Sequence, residues 1–465
     1  MKPTTLISPK AVGLTTPSKP LTGLDLHDTK KLNDSLPGAK HDTVVISPIS
    51  AKLGTTDPIS VSPKRVLLVS EHFPPSIGGS GRYLWELLRR LPSDRVVVAA
   101  GRCPGDEEFD AKHANSISRL PMALRETGTI SCTGFAGYFR LAMKINDMCR
   151  REQISALWCG RCVTEGWIGW LVHQWTGLPY IVSAHGEDLK LPVGAAVTGV
   201  MTSRQHRWMA RRILRQAIGV VANCENTRQI VISEWSVPAS QVHVLTPGVD
   251  TSYFKPAQPC PRVRARLNWT DRTVILSVGR LQRRKGHDHM ILALQQIRKQ
   301  IPNVLYAVMG DGVESASLKA LVKEKGLENH VQFYGEMDQH TILQAFQQCD
   351  LFALPNRQVG SDIEGFGIVL LEAQACGRPV LAGQSGGTAE TMSVPHTGIT
   401  VDCTNPDTLA KAVLELLFDR QRLDQMGDAA REWAVSRFDW DRMAERTVKL
   451  VSQLMATPTV ASTPA

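Results

Sequence analysis

The sequence predicts an α/β protein of parallel sheets joined by crossover helices. Three observations carry this. Short apolar runs such as Val274-Ile-Leu-Ser-Val278, Val304-Leu-Tyr-Ala-Val-Met309 and Leu351-Phe-Ala-Leu354 each end in a turn containing Gly or Pro, which is how a buried strand reads. Helical stretches separate them, at 290–300, 318–325 and 341–348, so strands and helices alternate. A chain of 465 residues with 43% hydrophobic side chains also supplies material for two or three cores.

Taken in order, residues 1–62 are rich in Ser, Thr, Pro and Lys and show little periodicity. They read as a disordered tail, and they lack the apolar stretch of a signal peptide, which places the chain in the cytoplasm. Arg65-Val-Leu-Leu-Val-Ser70 is a buried strand. A loop, Phe73-Pro-Pro-Ser-Ile-Gly-Gly-Ser-Gly81, leads to a helix with Leu84, Leu87, Leu88 and Leu91 on one face. Gly78 and Gly79 let a ligand approach backbone N–H groups, but no Gly-Lys-Ser/Thr follows, so this is not a Walker loop. Cys159-Gly-Arg-Cys162 follows the strand-like Ala156-Leu-Trp158. It reads as reduced structural thiols or as a redox pair, and no second Cys-x-x-Cys completes a zinc site. Tyr180-Ile-Val-Ser183 ends near His185, either a cleft residue or an ordinary loop histidine. A basic helix follows, with Arg204, Arg207, Arg211 and Arg215 assigned to one face. It is a solvated face or, with Trp208 at headgroup level, a contact with anionic membrane. Nothing in it resembles a nucleic-acid recognition module.

In the second half, Gly279-Arg280 and Lys285 put two cations at the carboxyl end of a strand. Ligands bind there in open α/β sheets, and Arg and Lys suit phosphate. The most informative stretch is Ser361-Asp-Ile-Glu-Gly-Phe-Gly-Ile-Val-Leu-Leu-Glu372. Glu364, Gly365, Phe366, Gly367 and Ile368 form a turn into a helix whose N-terminus suits a phosphate, and Glu372 lies inside that helix. Both carboxylates can serve one ligand only if it is long and rich in hydroxyls. The plainer reading is a capped surface helix. Two metal-like patterns carry less. Asp439-Trp440-Asp441 precedes an amphipathic helix and reads as an N-cap. His287 and His289 do not share a helix face. No metal site and no cofactor are expected. The net charge of +9 favours anionic partners.

Order, spacing and residue types from about Arg65 to Val451 resemble the retaining glycosyltransferases of family 4, which have the GT-B fold: two Rossmann-like parallel-sheet domains facing a central cleft. The motifs that carry the likeness are Gly279-Arg280 with Lys285, Glu364 with Glu372, Gly386-Gly387 with Glu390, and Thr246-Pro-Gly-Val-Asp250 with Phe254 and Pro256. Within the family, Phe73-Pro-Pro-Ser-Ile-Gly-Gly79 and the run from Asp362 to Gly377 are most similar to GDP-mannose-dependent phosphatidylinositol mannoside mannosyltransferases.

The resemblance implies an acceptor-binding domain over 63–250, a nucleotide-sugar domain over 251–437, a helix over 438–455 that crosses back to the first domain, and a tail over 456–465. It implies a nucleotide-sugar donor, GDP-mannose favoured, and a lipid or glycan acceptor. His185 would hold the sugar, Arg280 and Lys285 the diphosphate, Glu364 the sugar hydroxyls and Glu372 the ribose. Backbone near Tyr334 and Gly335 would meet the base. Activity would be metal-independent. One departure stands out: relatives carry Asp before Phe-Pro-Pro, whereas this chain has Glu71-His72. UDP-glucose or UDP-N-acetylglucosamine transfer, a sugar-nucleotide epimerase, a binding protein and a thiol oxidoreductase are the competing readings.

Overall fold

A computed structural model describes residues 64–76, 79–124, 131–191 and 200–456. The expected tails, apart from Ala456, and the candidate ligand residue Gly78 lie outside the described residues.

The first domain holds seven parallel strands: β1 (Arg65–Ser70), β2 (Val96–Gly101), β3 (Ser116–Leu120), β4 (Ile154–Cys159), β5 (Tyr180–Ala184), β6 (Gly219–Ala222) and β7 (Val242–Val244). They are ordered β3-β2-β1-β4-β5-β6-β7. Its helices are α1 (Gly79–Leu88), α2 (Asp106–Asp110), α3 (Cys132–Arg151), α4 (Thr164–Thr176), α5 (Arg204–Gln216) and α6 (Glu225–Trp235). The second domain holds six parallel strands: β8 (Thr273–Val278), β9 (Val304–Met309), β10 (Val331–Gly335), β11 (Leu351–Leu354), β12 (Val380–Gly383) and β13 (Gly398–Val401). They are ordered β10-β9-β8-β11-β12-β13. Its helices are α7 (Pro261–Arg266), α8 (His287–Gln300), α9 (Ser315–Glu324), α10 (Gln339–Gln348), α11 (Ile368–Ala375), α12 (Pro406–Phe418) and α13 (Arg420–Phe438), followed by α14 (Trp440–Ala456).

Parallel strands covered by helices on both faces must be apolar throughout, and β2, β9 and β12 are buried along their whole length. Each sheet therefore has two cores. In the first domain one gathers around Leu67, Leu157 and Ile168, the other around Leu68, Trp85 and Trp158. Helix α14 contributes Trp440, Met443 and Leu454 to the latter. Val249 N–H donates to the Phe438 carbonyl at 2.7 Å where the chain passes between domains.

Strand order reverses between β1 and β4 in the first sheet, and between β8 and β11 in the second. A crevice opens beyond the carboxyl ends of the strands at such a reversal. The residues that emerge there are Glu71 after β1, Gly160 after β4, Gly279 and Arg280 after β8, and Pro355 and Asn356 after β11. This places the candidate site before any side chain is considered.

Candidate active site

The site is built around one loop, Ser361 to Gly367, wedged between the domains. Its Gly365 lies against the first domain: a Cβ there would stand 2.7 Å from the His185 carbonyl. Gly386 packs so closely that a Cβ would meet the Glu364 carbonyl at 1.7 Å, and its φ is +68°, so only glycine fits. Gly387 N–H donates to the same carbonyl at 3.2 Å. Cys224 of the first domain donates its thiol to the Gly365 carbonyl at 3.2 Å. The loop backbone is thus fixed from both sides, which fixes where Glu364 projects.

Glu364 is buried and meets two cations. Lys285 Nζ is 2.6 Å from Oε2, and Arg284 pairs with the same oxygen. Arg284 also reaches Asp362 at 3.1 Å and Glu187, from the loop after β5, at 3.5 Å. Burial pushes the Glu364 carboxyl up, but Lys285 and Arg284 outweigh it and hold the group below the usual carboxylate range. Two cations thus face three carboxylates. Lys285 is already engaged, and a diphosphate arriving here would share it with Glu364.

Arg280 follows β8 with an exposed side chain. Its field reaches the other domain. The His72 imidazole is held down at about 4, by burial first and then by Arg161 and Arg280. Cations from both domains therefore make this mouth positive, as a phosphate requires.

Glu372 lies inside α11, buried, and faces Arg82 of α1 across the cleft at 3.0 Å. Burial raises its carboxyl and Arg82 only partly offsets this. The contact is a charge pair without an aligned hydrogen bond, and Glu372 Oε1 has no hydrogen-bond partner. Among the other candidates, Gly367 caps α11 at φ 87° and Ile368 begins it. Phe366 is buried in the second-domain core, near the Phe438 ring. Gly79 opens α1, and nothing lies within 4 Å of its Cβ direction. Tyr334 accepts from Trp269 Nε1 at 2.6 Å and donates to the Leu267 carbonyl at 2.5 Å. The Gly335 carbonyl accepts from Gly310 at 2.7 Å, so neither its carbonyl nor the Tyr334 hydroxyl is uncommitted.

His185 is buried, with Nε2 2.8 Å from the Gly160 carbonyl. A carbonyl only accepts, so Nε2 carries the proton and Nδ1 of the neutral ring is an acceptor. The Tyr83 ring stands edge-on to the imidazole at 6.2 Å.

Comparison with known proteins fits this geometry. Residues 77–253 match the family described as Glycosyltransferase Family 4, and residues 261–433 match Glycosyl transferases group 1. A GDP-mannose-dependent alpha-(1-6)-phosphatidylinositol monomannoside mannosyltransferase of Mycolicibacterium smegmatis is 33% identical over 83% of this chain and 98% of its own. The chain belongs to glycosyltransferase family 4. A Corynebacterium glutamicum enzyme, named for the monoacylated form of the same acceptor, is 29% identical over 83% of this chain and 98% of its own. Two solved structures share the GT-B fold at lower identity. Sucrose-phosphate synthase of Thermosynechococcus elongatus superposes with a TM-score of 0.71 at 23% identity, covering 84% of this chain and 99% of its own. Anabaena HepE in complex with UDP gives 0.70 at 21%, covering 84% and 100%.

Several groups in this family 4 glycosyltransferase escape a reading by motif. Arg284 is the chief one. Its neighbour Lys285 stood out by spacing, but the run Arg283-Arg284-Lys285 was the available signal. A single 3-10 turn over Arg283–Lys285 buries both Arg284 and Lys285. Asp362 sits inside the run from Ser361 to Glu372 and Glu187 lies two residues after His185, and only the fold brings them to Arg284. Glu165, in the first turn of α4, is fully buried. Its Oε1 accepts from the Glu71 backbone N–H at 2.8 Å, and its Oε2 has no hydrogen-bond partner. The Glu71 carboxyl is pushed up to about 7, by burial first and then by Glu165, with Arg161 opposing. Glu390 of the Gly386-Gly387 motif accepts from the backbone N–H groups of Glu225 and Asn226, at 2.6 and 2.8 Å. A second-domain carboxylate thus caps helix α6 of the first domain.

The metal-like patterns resolve into structural contacts. His287 Nδ1 lies 2.7 Å from the Tyr306 hydroxyl, and His289 Nδ1 lies 2.8 Å from the Cys403 carbonyl. Asp439 accepts from the Asp441 N–H at 2.9 Å, at the start of α14. Among the described residues no group of three or more His, Cys, Asp or Glu could hold a metal. Cys159 and Cys162 are buried free thiols, and burial pushes both well above the usual thiol range, which suits inert structural cysteines.

Proposed function

We propose that the chain transfers mannose from GDP-mannose to a hydroxyl of a glycolipid acceptor, with retention of anomeric configuration and without a metal. The observation that carries this reading is the pairing of Lys285 and Arg284 with Glu364 at the β8 switch point, opposite His185. It puts positive charge and a fixed carboxylate together at the one place where both sheets direct a ligand. The donor and acceptor classes come from the names of relatives such as the Mycolicibacterium smegmatis enzyme.

In this reading Glu372 receives ribose hydroxyls at the carboxylate oxygen that Arg82 faces, and His185 Nδ1 accepts from a sugar hydroxyl. Arg280 and Lys285 neutralise charge that builds on the β-phosphate as the anomeric carbon–oxygen bond lengthens. The acceptor oxygen forms its bond on the face the phosphate leaves, and its proton passes to the departing phosphate oxygen. Glu364 holds sugar hydroxyls rather than acting as a covalent nucleophile, because two cations already clamp its carboxylate. Backbone near Tyr334 and Gly335 meets the base, and the helix mouth at Gly365, Gly367 and Ile368 faces the phosphates. The first domain takes the acceptor. Glu71 stands where relatives place a carboxylate one residue on, and Glu165 holds its backbone. Contact with the inner face of an anionic membrane would bring such an acceptor to the cleft.

The deciding experiment incubates the purified chain with GDP-mannose, UDP-glucose or UDP-N-acetylglucosamine, with and without phosphatidylinositol monomannoside. Release of GDP that requires both GDP-mannose and the acceptor is the expected result. Turnover only with a UDP-sugar would reject the donor assignment. Turnover of a nucleotide sugar without any acceptor would favour an epimerase.

A further inference from the structure

Apart from the donor residues, three first-domain helices leave an aromatic cleft open. Phe135, Tyr138 and Phe139 of α3, Trp167, Trp170 and Leu171 of α4, and Trp208 of α5 line a cavity of about 560 Å³. Its rings form two contacting groups, one on α3 and one on α4 with α5. Phe135 and Phe139 stack at 6.1 Å, Trp167 and Trp170 at 4.4 Å, and Trp208 lies 5.3 Å from Trp167. Trp175 extends the first group beyond Phe139 at 5.4 Å.

This surface is not ordinary scatter. The described residues include ten exposed large hydrophobic side chains, and five of them lie here: Phe135, Phe139, Met143, Trp175 and Trp208. Phe135, Phe139 and Met143 recur every four residues, so they form one stripe along α3. A contiguous apolar patch of this kind marks an interaction surface.

The rim identifies the partner. Helix α5 carries five Arg and no acid. Arg204, Arg211 and Arg215 are exposed at the same helical spacing as Trp208, whereas Arg207 is half-buried. Arg212 lies 5.7 Å from the Trp208 ring. On α3, Arg140 and Lys144 are exposed beside the apolar stripe. Apolar and aromatic side chains flanked by cations match a bilayer interface of anionic lipid, where rings sit at headgroup level and each cation gains from the surface potential. No helix among the described residues is long and apolar enough to cross a membrane, so the contact would be peripheral. Tyr138 carries the cleft inward: its ring lines the cavity and its side chain is buried.

We propose that the cleft between α3, α4 and α5 docks on anionic bilayers, seating lipid hydrocarbon among Phe135, Phe139 and Trp208 while the α5 arginines meet headgroups. The site rests on the transferase reading only for its purpose, since it would bring a lipid acceptor to the first domain.

The test needs no turnover. The full chain is sedimented with vesicles of phosphatidylcholine alone, and with vesicles in which about one third is phosphatidylglycerol. Wild type is expected to bind the anionic vesicles and to release as salt rises. Arg204→Glu with Arg211→Glu and Arg215→Glu should weaken binding on the order of 100-fold or more, at roughly fivefold per lost cation. Phe135→Ser with Phe139→Ser should weaken it at least about tenfold. Because these side chains are exposed, both variants should keep the wild-type melting temperature. Lipids brominated on the acyl chains should quench a tryptophan signal that Trp208→Phe removes. Failure of wild type to bind anionic vesicles would overturn the proposal. So would quenching unchanged in Trp208→Phe, or a dimer that the Phe variants dissociate without any vesicle binding. Donor-dependent turnover measured separately keeps such a failure distinct from failure of the transferase reading.

Discussion

Arg82 of α1 and Glu372 of α11 meet at 3.0 Å across the interdomain cleft. The pair joins the helix that follows the Phe73-Pro-Pro loop to the carboxylate expected to bind the ribose. Glu372 is buried while Arg82 is substantially exposed, so water screens the attraction from one side only. Proximity to Glu372 is the main reason the Arg82 guanidinium holds its proton more firmly than usual. If ribose hydroxyls bind Glu372, Arg82 stands in their place until the donor arrives.

Removing that competitor gives the first prediction. Arg82→Ala should tighten binding of GDP by up to about fivefold, the most a half-exposed ion pair contributes. Glu372→Gln should weaken it by at least about tenfold, through loss of a charged acceptor. Titration calorimetry with GDP reads both. Weaker binding in Arg82→Ala would make the arginine part of the donor site instead.

The cations at β8 separate binding from chemistry. Negative charge on the departing phosphate is greatest in the transition state, so a cation there acts differentially. Lys285→Ala and Arg280→Ala should each lower turnover on the order of 100-fold, about 3 kcal/mol, and weaken donor binding less. Arg280→Ala is the cleaner variant, because Lys285 also holds Glu364. Single-turnover kinetics beside equilibrium binding would distinguish the two effects. Rates matching wild type in both variants would remove the diphosphate from this position.

With Arg280, Lys285 and the field felt at His72 supplying positive charge, turnover should persist in excess EDTA. Loss of activity in chelator, restored by magnesium or manganese, would assign that charge to a metal instead.

Much of the second domain was legible in sequence, for a physical reason. Its inner strands are buried on both faces, so they read as uninterrupted apolar runs, and β8, β9 and β11 fall where the runs from Val274, Val304 and Leu351 indicate. Helices begin earlier than their apolar spacing shows: α8 starts at His287, α9 at Ser315 and α10 at Gln339. First-turn residues such as Ser315 and Gln339 are not buried and need not be apolar. The site was legible where a motif is contiguous, as from Glu364 to Glu372. It was not legible where the fold assembles it, as at Arg284 with Glu187, Glu71 with Glu165, or Glu390 with α6. Spacing along a chain carries no information about which loop faces which across a cleft. The basic helix shows the same limit, since Arg207 of its predicted face is half-buried while Trp208 is exposed.

Arg284 should matter for stability more than Lys285 does. Among the described residues it is the one cation that pairs with all three of Glu187, Asp362 and Glu364. Removing it leaves three carboxylates together, one of them buried, which costs about 3 kcal/mol or more. Arg284→Ala should therefore lower the melting temperature on the order of 10 °C. Arg284→Lys should recover little, because an ammonium cannot reproduce the planar fork. A wild-type melting temperature in Arg284→Ala would show the three carboxylates to be adequately solvated without it.

Glu71 gives a prediction in which pH sets the sign. Its carboxyl sits at about 7 in the folded chain against an ordinary value of 4.5. Because the folded value is the higher one, the contribution to stability is fully present below the ordinary value and is lost as pH rises through about 7. Glu71→Gln removes the titration, so the variant should gain on wild type between about pH 5 and pH 8, as read from denaturation midpoints. The same group should shape the rate. An ionised carboxylate accepts from an acceptor hydroxyl more strongly than a protonated carboxyl does, so kcat/KM for the acceptor should fall on the acid side of about 7. That limb should be missing in Glu71→Gln, at a lower plateau. Glu165 holds the Glu71 backbone and raises its carboxyl, so Glu165→Gln should move the limb to lower pH rather than abolish it. An acid limb unchanged in both variants would take Glu71 out of acceptor recognition, while a change confined to the denaturation midpoints would leave it a structural carboxyl only.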